Sequence, residues 1–287
     1  MTVIELAVEA RRAAEIPRLL DELNAFVRAD PEFEFAHDAE SGQIVIKGIS
    51  ERQLDEKVGA LLNLGLALDL GAPQVSYRET ISRPVTVDYT HKRWTEGRGE
   101  FARVIIVIEP APGRGNAFRV TDASLKPGYV TAAARGCETA LESGPLGGFP
   151  VIDLRIRLID GASHEHDSSP QAFEVAGRAA LREALVKGGP VMLEPIMRVR
   201  IVTPQDCAGP VVEGLKARRG QMLGQEMREA HVVIEADVSC ANLLGFEAEL
   251  AASSRKRAKY EVRFSRYVPV PAPPENEPFP PAIGMRA

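Results

Sequence analysis

Apolar side chains recur along this chain with two alternating periods. Ile4, Leu6 and Val8 fall on every second residue, as one face of a half-buried strand does. The spacing then changes to three and four at Ile16, Leu19, Leu20, Leu23, Phe26 and Val27, which predicts an amphipathic helix. Pro17 suits the first turn of that helix, and Asp30-Pro31 stops it. A short strand around Phe33 and Phe35 leads through the turn-forming Asp38-Ala39-Glu40-Ser41-Gly42 into Ile44-Val45-Ile46, a hairpin signature. A helix over 50–62 and a strand over 66–70 complete the order β-α-β-β-α-β, the split βαβ or ferredoxin-like unit.

The same order recurs near the end, with a strand at 192–203, a helix at 206–218, a hairpin at 222–227 and 231–238, a helix at 242–254 and a strand at 259–267. The two copies share architecture without close residue identity. Between them the pattern predicts strands at 75–89, 101–108 and 117–121, a helix at 128–141, a strand at 151–158 and a long helix at 169–186. Ser168 or Ser169 can cap that last helix, with Pro170 in its first turn. The polar stretch 160–167 between strand and helix predicts an exposed loop tip. After Tyr267, 7 of the last 20 residues are proline, so a disordered tail is expected over 268–287.

The length of 287 residues, with 45% hydrophobic side chains, allows two or three buried cores. Cys137, Cys207 and Cys240 are odd in number and lack CxxC spacing, which excludes a disulfide framework or a zinc ribbon and fits a reducing cytosol. No apolar run approaches the roughly 20 residues that span a bilayer, and the first residues show no secretion signal, so a cytoplasmic protein without membrane contact is expected. The net charge of -5 is uneven. Residues 1–70 hold 14 acidic and 7 basic side chains, whereas 71–267 hold 24 acidic and 27 basic, so the acidity is a property of the first segment.

Several chemistries are absent. No lysine precedes serine or threonine, so no P-loop is present, and neither GxGxxG after a strand nor GxSxG occurs. His164-Glu165-His166-Asp167 puts alternate histidines on one side of an extended segment, but without a third distant ligand it reads as a solvated loop and not a metal site. Arg255-Lys256-Arg257 can grip phosphate or can be a solvated helix end.

From Gly71 through Pro73, Tyr77 and Arg78 to Ile81, the sequence closely resembles the start of the fourth domain of bacterial elongation factor G. His91-Lys92-Arg93, Gly97-Arg98-Gly99, Pro127-Gly128-Tyr129, Gly144-Pro145-Leu146-Gly147-Gly148-Phe149-Pro150-Val151 and Asp160-Gly161 through His164 to Asp167-Ser168-Ser169 follow in the family's order. Leu193-Glu194-Pro195-Ile196-Met197, Arg218-Arg219-Gly220, Gly224-Gln225, Gly245-Phe246 and Arg257-Ala258 resemble the fifth domain, while Asp30-Pro31 and Gly42-Gln43 resemble the third. The resemblance covers roughly 1–267. It implies an α+β fold of two ferredoxin-like domains, 1–70 and 188–267, flanking a domain like ribosomal protein S5 over 71–187.

The resemblance further implies a ribosome-binding module. Its fourth-type domain would enter the decoding site of the small subunit, among rRNA, tRNA and mRNA, and promote translocation. The tip residues it implies are His164, Glu165, His166, Asp167 and Ser168, with Trp94, Thr95, Gly97, Arg98 and Gly99 in a second loop. In the fifth-type domain they are Arg218, Arg219 and Gly220, with Arg255, Lys256 and Arg257 as the basic cluster. Plainer readings stand beside these: an N-cap for 167–169, a hairpin turn for 97–99, and a solvated helix end for 218–220. The family's GTPase and barrel domains have no counterpart in the sequence, so no catalytic residues and no cofactor are expected here. GTP and magnesium would come only with a GTPase domain encoded upstream or acting in trans.

The departures are specific. Where the family has His-Lys-Lys-Gln-Ser-Gly-Gly-Arg-Gly-Gln, this chain has Trp94 for glutamine, Glu96 for glycine and Glu100 for the last glutamine. Glu100 adds a charge that RNA would repel, while an exposed Trp94 can stack on a base. Gly-Glu-Leu-His-Leu becomes Ser50-Glu51-Arg52-Gln53-Leu54, and Lys256 stands where the family has glycine. The departures suggest a divergent paralogue. Two alternatives therefore stay open: a protein of the ribosomal-protection type that displaces tetracycline, or a non-catalytic interaction protein that kept the fold.

Overall fold

Ile4–Ala10 forms β1, with Ile4, Leu6 and Val8 buried on one face as their alternation predicts. A computed structural model describes residues 2–38, 43–95, 98–121 and 124–270, with backbone alone at Thr95 and Arg98. A 3-10 turn leads into α1 (Ile16–Ala29), which buries Leu19 and Leu23, and β2 (Glu34–His37) and β3 (Ile44–Gly48) pair antiparallel. The predicted turn at 39–42 lies outside the described residues. α2 (Glu51–Asn63) is capped by Ser50, whose side chain accepts from Gln53 N, while Gln53 Oε1 accepts from Ile49 N. The pair is a capping box shifted by one residue, with Gln53 accepting from the amide before the cap, and it gives Ser50 and Gln53 a local role where they depart from the family pattern. β4 (Leu68–Leu70) and β5 (Gln74–Val75) both pair with β1, and the sheet runs β2-β3-β1-β4, the ferredoxin-like order.

Two compact units make up the chain: 1–76 with 194–268, and a second built on 77–193. The strand expected at 75–89 is divided at Ser82-Arg83-Pro84 into β6 (Arg78–Ile81) and β7 (Val85–Thr95), because Pro84 cannot extend a ladder and Ser82 and Arg83 N donate instead to Gly188 and Gly189 O. β7 pairs antiparallel with β8 (Arg98–Pro110) along its whole length, from Val85 opposite Ile108 to Thr95 opposite Arg98. β9 (Ala117–Val120) is followed by α3 (Pro127–Leu141). β10 (Leu154–Ala162) pairs antiparallel with β8 and parallel with β9. The strand predicted from Val151 begins three residues later, because Asp153 adopts a positive φ of 62° and its carboxylate accepts from Gly113 and Gly115 N. α4 (Pro170–Lys187) follows. α3 and α4 cover one face of the β7-β8-β10-β9 sheet, burying Ala102, Val104, Ile106, Ile108 and Phe173.

β11 (Pro190–Pro204), α5 (Gln205–Ala217), β12 (Gln221–Arg228), β13 (His231–Ser239), α6 (Cys240–Leu243), α7 (Phe246–Ser253) and β14 (Lys259–Pro269) complete the chain. The second ferredoxin-like sheet is ordered β12-β13-β11-β14. The single helix predicted at 242–254 is broken by Gly245, which takes a left-handed φ of 75°. β14 extends two residues past the predicted end, and Val270 N donates to Met192 O, so the start of the predicted tail is ordered; 271–287 lie outside the described residues. In the first unit the two sheets are tied by Gly245 N donating to Glu51 Oε2 at 2.7 Å and by Arg52 against Glu247. Burial pushes the thiols of Cys137 and Cys240 up to about 12, so both stay neutral. No described helix is long and apolar enough to cross a membrane.

Candidate nucleic-acid interface

At the far end of the β7–β8 hairpin the sheet hands over to the loop between β10 and α4. β10 stops pairing with β8 at Ala162 opposite Arg103, and the loop takes its place: Phe101 N donates to Asp167 O at 2.8 Å, and Ser168 Oγ donates to Phe101 O at 2.7 Å. Ser168 Oγ also accepts from His164 N at 2.8 Å. The cap of α4 is Ser169, whose side chain accepts from Ala172 N at 3.1 Å. The two adjacent serines therefore divide the work that the sequence leaves open between them: Ser169 ends the helix and Ser168 staples the loop to β8. Below the loop, Tyr129 stacks on Phe173 with ring centroids 4.5 Å apart.

His164 and Asp167 form one group. His164 Nδ1 lies 3.0 Å from Asp167 Oδ2, and the imidazole is about half exposed. The backbone amides of Asp167 and His166 donate to His164 Nδ1, at 3.3 and 3.4 Å. The Asp167 carboxylate occupies the space a Cβ on Gly99 would need, with Cγ 2.6 Å from that position. Any side chain at 99 would displace it. Glu165 and His166 are exposed, and the His166 ring meets the His164 ring edge-on at 6.2 Å. Trp94 sits opposite Gly99 in the ladder and is 73% exposed. The tip residues Trp94, Gly99, His164, Asp167 and Ser168 are thus brought together. Thr95 and Arg98 pair with each other through backbone, and Gly97, with Glu96, lies outside the described residues.

Glu100 is turned away from Trp94 and stays about half exposed. Alternation puts it on the helix-covered side of the hairpin, where Glu100 Oε2 meets His91 Nε2 at 3.1 Å, while Trp94 and Lys92 point to the uncovered side. Lys92 shares the uncovered face with Trp94 and is exposed. The two-residue period of β7 carries that placement, given that 85–95 is one strand.

In the fifth-type segment the two basic groups lie at opposite ends of the α5–α7 pair. Arg218, at the end of α5, is a clamp: its guanidinium donates to Asn242 O at 2.8 Å and to Glu249 Oε2 at 2.5 Å, and it lies over the Phe246 ring at 5.3 Å. Arg257 grips Asp206 at the start of α5 at 2.7 Å and holds that carboxyl below its ordinary range through the hydrogen bond. These two cations are committed within the molecule. Arg219, Arg255 and Lys256 are exposed and have no ion-pair partner among the described residues. Gly220 N closes the α5 end on Leu215 O, and a Cβ there would meet that carbonyl at 2.9 Å.

Arg219, Arg255 and Lys256 all hold left-handed backbone, with φ of 58°, 53° and 59°. The chain turns after α7 with Lys256 N donating to Ala251 O at 2.7 Å, a closure that favours glycine. Lys256→Gly is expected to raise stability by about 1 kcal/mol, read as a higher denaturation midpoint at unchanged slope.

Three family models match the chain in sequence order: Elongation Factor G, domain III, over 1–69; Elongation factor G, domain IV, over 73–189; and Elongation factor G C-terminus over 191–278. Elongation factor G of Paracoccus denitrificans is 43% identical over 273 residues, covering 94% of this chain and 39% of the relative. That of Rhodopseudomonas palustris is 43% identical over 274 residues, covering 94% and 40%. A crystal structure of a protein from Thermus thermophilus matches with a TM-score of 0.75 at 30% identity, over 93% of this chain and 40% of that one. The chain spans about two fifths of the length of these relatives.

Proposed function

Because this chain belongs to the elongation factor G family, we propose that it is a ribosome-binding elongation module whose hairpin tip meets RNA at the decoding site and promotes the movement of tRNA and mRNA. The observation that carries this reading is the stapled tip. His164 projects from a loop pinned to Phe101 of β8 by Asp167 and Ser168, and Trp94 from the adjoining end of β7, at the end of a sheet covered by two helices. A pinned polar loop loses little entropy when it meets an RNA backbone, and imidazole and backbone amides can donate to phosphate or ribose. Arg219, Arg255 and Lys256 supply exposed charge in the fifth-type segment. Any GTP hydrolysis would belong to a GTPase domain carrying its own P-loop and magnesium.

Cosedimentation with purified ribosomes tests the reading. Association is expected at low salt and should fall steeply as salt rises. Absence of association at low salt would overturn it. Arg219→Ala is expected to weaken association and reduce its salt slope by about one, with no change in melting temperature. Arg218→Ala is expected to lower the melting temperature, because it leaves Asn242 O and Glu249 without their donor.

A further inference from the structure

The β7-β8-β10-β9 sheet ends on β9, at the edge opposite β7, and among the described residues β9 pairs with β10 alone. The parallel register sets Arg119 beside Arg157 and Val120 beside Leu158. Arg119 and Arg157 share the uncovered face, since their neighbours Phe118 and Ile156 pack into the core that α3 and α4 cover. Two like charges side by side on neighbouring strands oppose the pairing unless something negative joins them. Arg157 meets Glu109 at 3.2 Å and Arg155 shares that carboxylate at 3.7 Å, whereas Arg119 is exposed with no ion-pair partner among the described residues. Arg157 Nε is buried and has no acceptor among them either. Three cations thus stand around one acid at this edge.

The backbone of the edge is open as well. Thr121 N donates inward to Leu158 O, so alternation turns the N–H and C=O of Phe118 and Val120 outward, where no described strand meets them. Val120, on the apolar side of β9, is 46% exposed. One charge is enough to guard a short edge against stray pairing. A like-charge pair, an exposed valine and free main-chain groups on the same four residues make a template for one more strand.

We propose that the β9 edge docks an extended acidic segment of a partner protein, added as a fifth strand with a carboxylate toward Arg119 and Arg157 and an apolar side chain against Val120. Alternation supplies both contacts from one strand, because successive side chains fall on opposite faces of the sheet, while its main chain bonds to Phe118 and Val120. Bidentate guanidinium–carboxylate geometry suits the arginine pair. A nucleic-acid phosphate would satisfy the arginines but leave the outward N–H and C=O groups and Val120 without partners, so the observations favour a peptide. The site stands on the strand edge and does not depend on the ribosome reading above.

Fluorescence anisotropy of a labelled octapeptide that alternates valine and glutamate, titrated with the full chain, tests the proposal. Saturable binding is expected at low salt, weakening as salt rises. Arg119→Glu is expected to weaken binding by about tenfold or more. It should not lower the melting temperature, because it turns a like-charge pair into an opposite one. Val120→Pro is expected to weaken binding by about two- to tenfold, since proline removes an outward donor and leaves the inward bonds to β10 in place. No binding by the wild type at low salt, or equal binding by Arg119→Glu, overturns the docking site. Undiminished binding by Val120→Pro overturns the added strand. Displacement of the peptide by an equimolar single-stranded RNA heptamer would make the edge a phosphate site and overturn the assignment to an acidic segment. Salt-sensitive self-association in sedimentation velocity, abolished by Arg119→Glu, would give the edge to a second copy of the chain and overturn it likewise.

Discussion

Replacing Glu79 with alanine is expected to be among the most damaging single changes in the second unit, costing about 3–5 kcal/mol. The Glu79 side chain is wholly buried, and its carboxylate accepts from three backbone amides of one loop: Leu146 N at 2.9 Å, Gly147 N at 2.8 Å and Phe149 N at 3.2 Å. Glu79 backbone also joins the same loop, with N donating to Pro150 O and O accepting from Ile152 N. The loop Gly144-Pro145-Leu146-Gly147-Gly148-Phe149 is therefore a cradle for one carboxylate. Gly144 must lack a Cβ because Glu79 Oε2 would lie 2.3 Å from it. Alanine leaves three donors in a site where water is excluded, each worth about 1–3 kcal/mol when unpaired. Glutamine keeps one acceptor and turns an NH2 toward the remaining amide, so about half that loss is expected. Chemical denaturation followed by circular dichroism gives the total, and hydrogen exchange at the Leu146, Gly147 and Phe149 amides shows whether the loss begins in the cradle. An unprotected cradle with an unchanged midpoint would refute the assignment of these energies.

The second large effect is expected from Gly136→Ala, at about 2–4 kcal/mol. α3 and α4 approach through a seam of small residues in which Ala132, Ala133 and Ala140 on α3 are buried with Ala176, Ala180 and Ala184 on α4. A Cβ on Gly136 would lie 2.0 Å from Glu174 O and 2.8 Å from Arg178 N, and one on Gly177 would lie 2.3 Å from Ala133 O. All of these atoms are backbone, so no rotamer change relieves the clash and the helices must part. Separation would also loosen the sheet face beneath, where Phe173 packs on Tyr129 below the His164 loop. Gly59→Ala is the matching control. Gly59 lies within α2 with open space around its Cβ position, so alanine is expected to stabilise by about 0.5–1 kcal/mol. Equal destabilisation by the two substitutions would show that helix propensity, not the seam, sets the outcome.

Much of the fold is legible in the sequence for local reasons. The period of two at Ile4, Leu6 and Val8 and the three-four spacing at Leu19 and Leu23 each report which side of an element is buried, and the structure buries those residues. The elements that differ do so through interactions that periodicity does not carry. Gly245 divides a helix because the backbone takes a left-handed turn there, while Glu51, nearly two hundred residues away in sequence, accepts its amide. Asp153 delays β10 because its carboxylate is needed by Gly113 and Gly115.

The site divides in the same way. Residue types and order make Trp94, His164 and the serines candidates for the tip, and the family resemblance implies their setting. Which serine caps, which arginine is free and which way Glu100 points are not written in any local pattern. Ser169 caps while Ser168 reaches Phe101; Arg218 is consumed by Glu249 and Asn242 while Arg219 is exposed; Glu100 turns to His91.

By itself, then, the sequence determined the order of elements, their buried faces, the two split βαβ units and the family, because these depend on spacing within a few turns of chain. The tertiary structure alone decided the β7–β8 register that sets Trp94 against Gly99, the contact of Asp167 with that glycine, and the burial of Glu79 among three amides. The last two join residues 68 apart in sequence, and the register is set along the whole length of two strands. A charge or an aromatic ring acquires its role only when folding fixes which partner it faces and how much water remains around it.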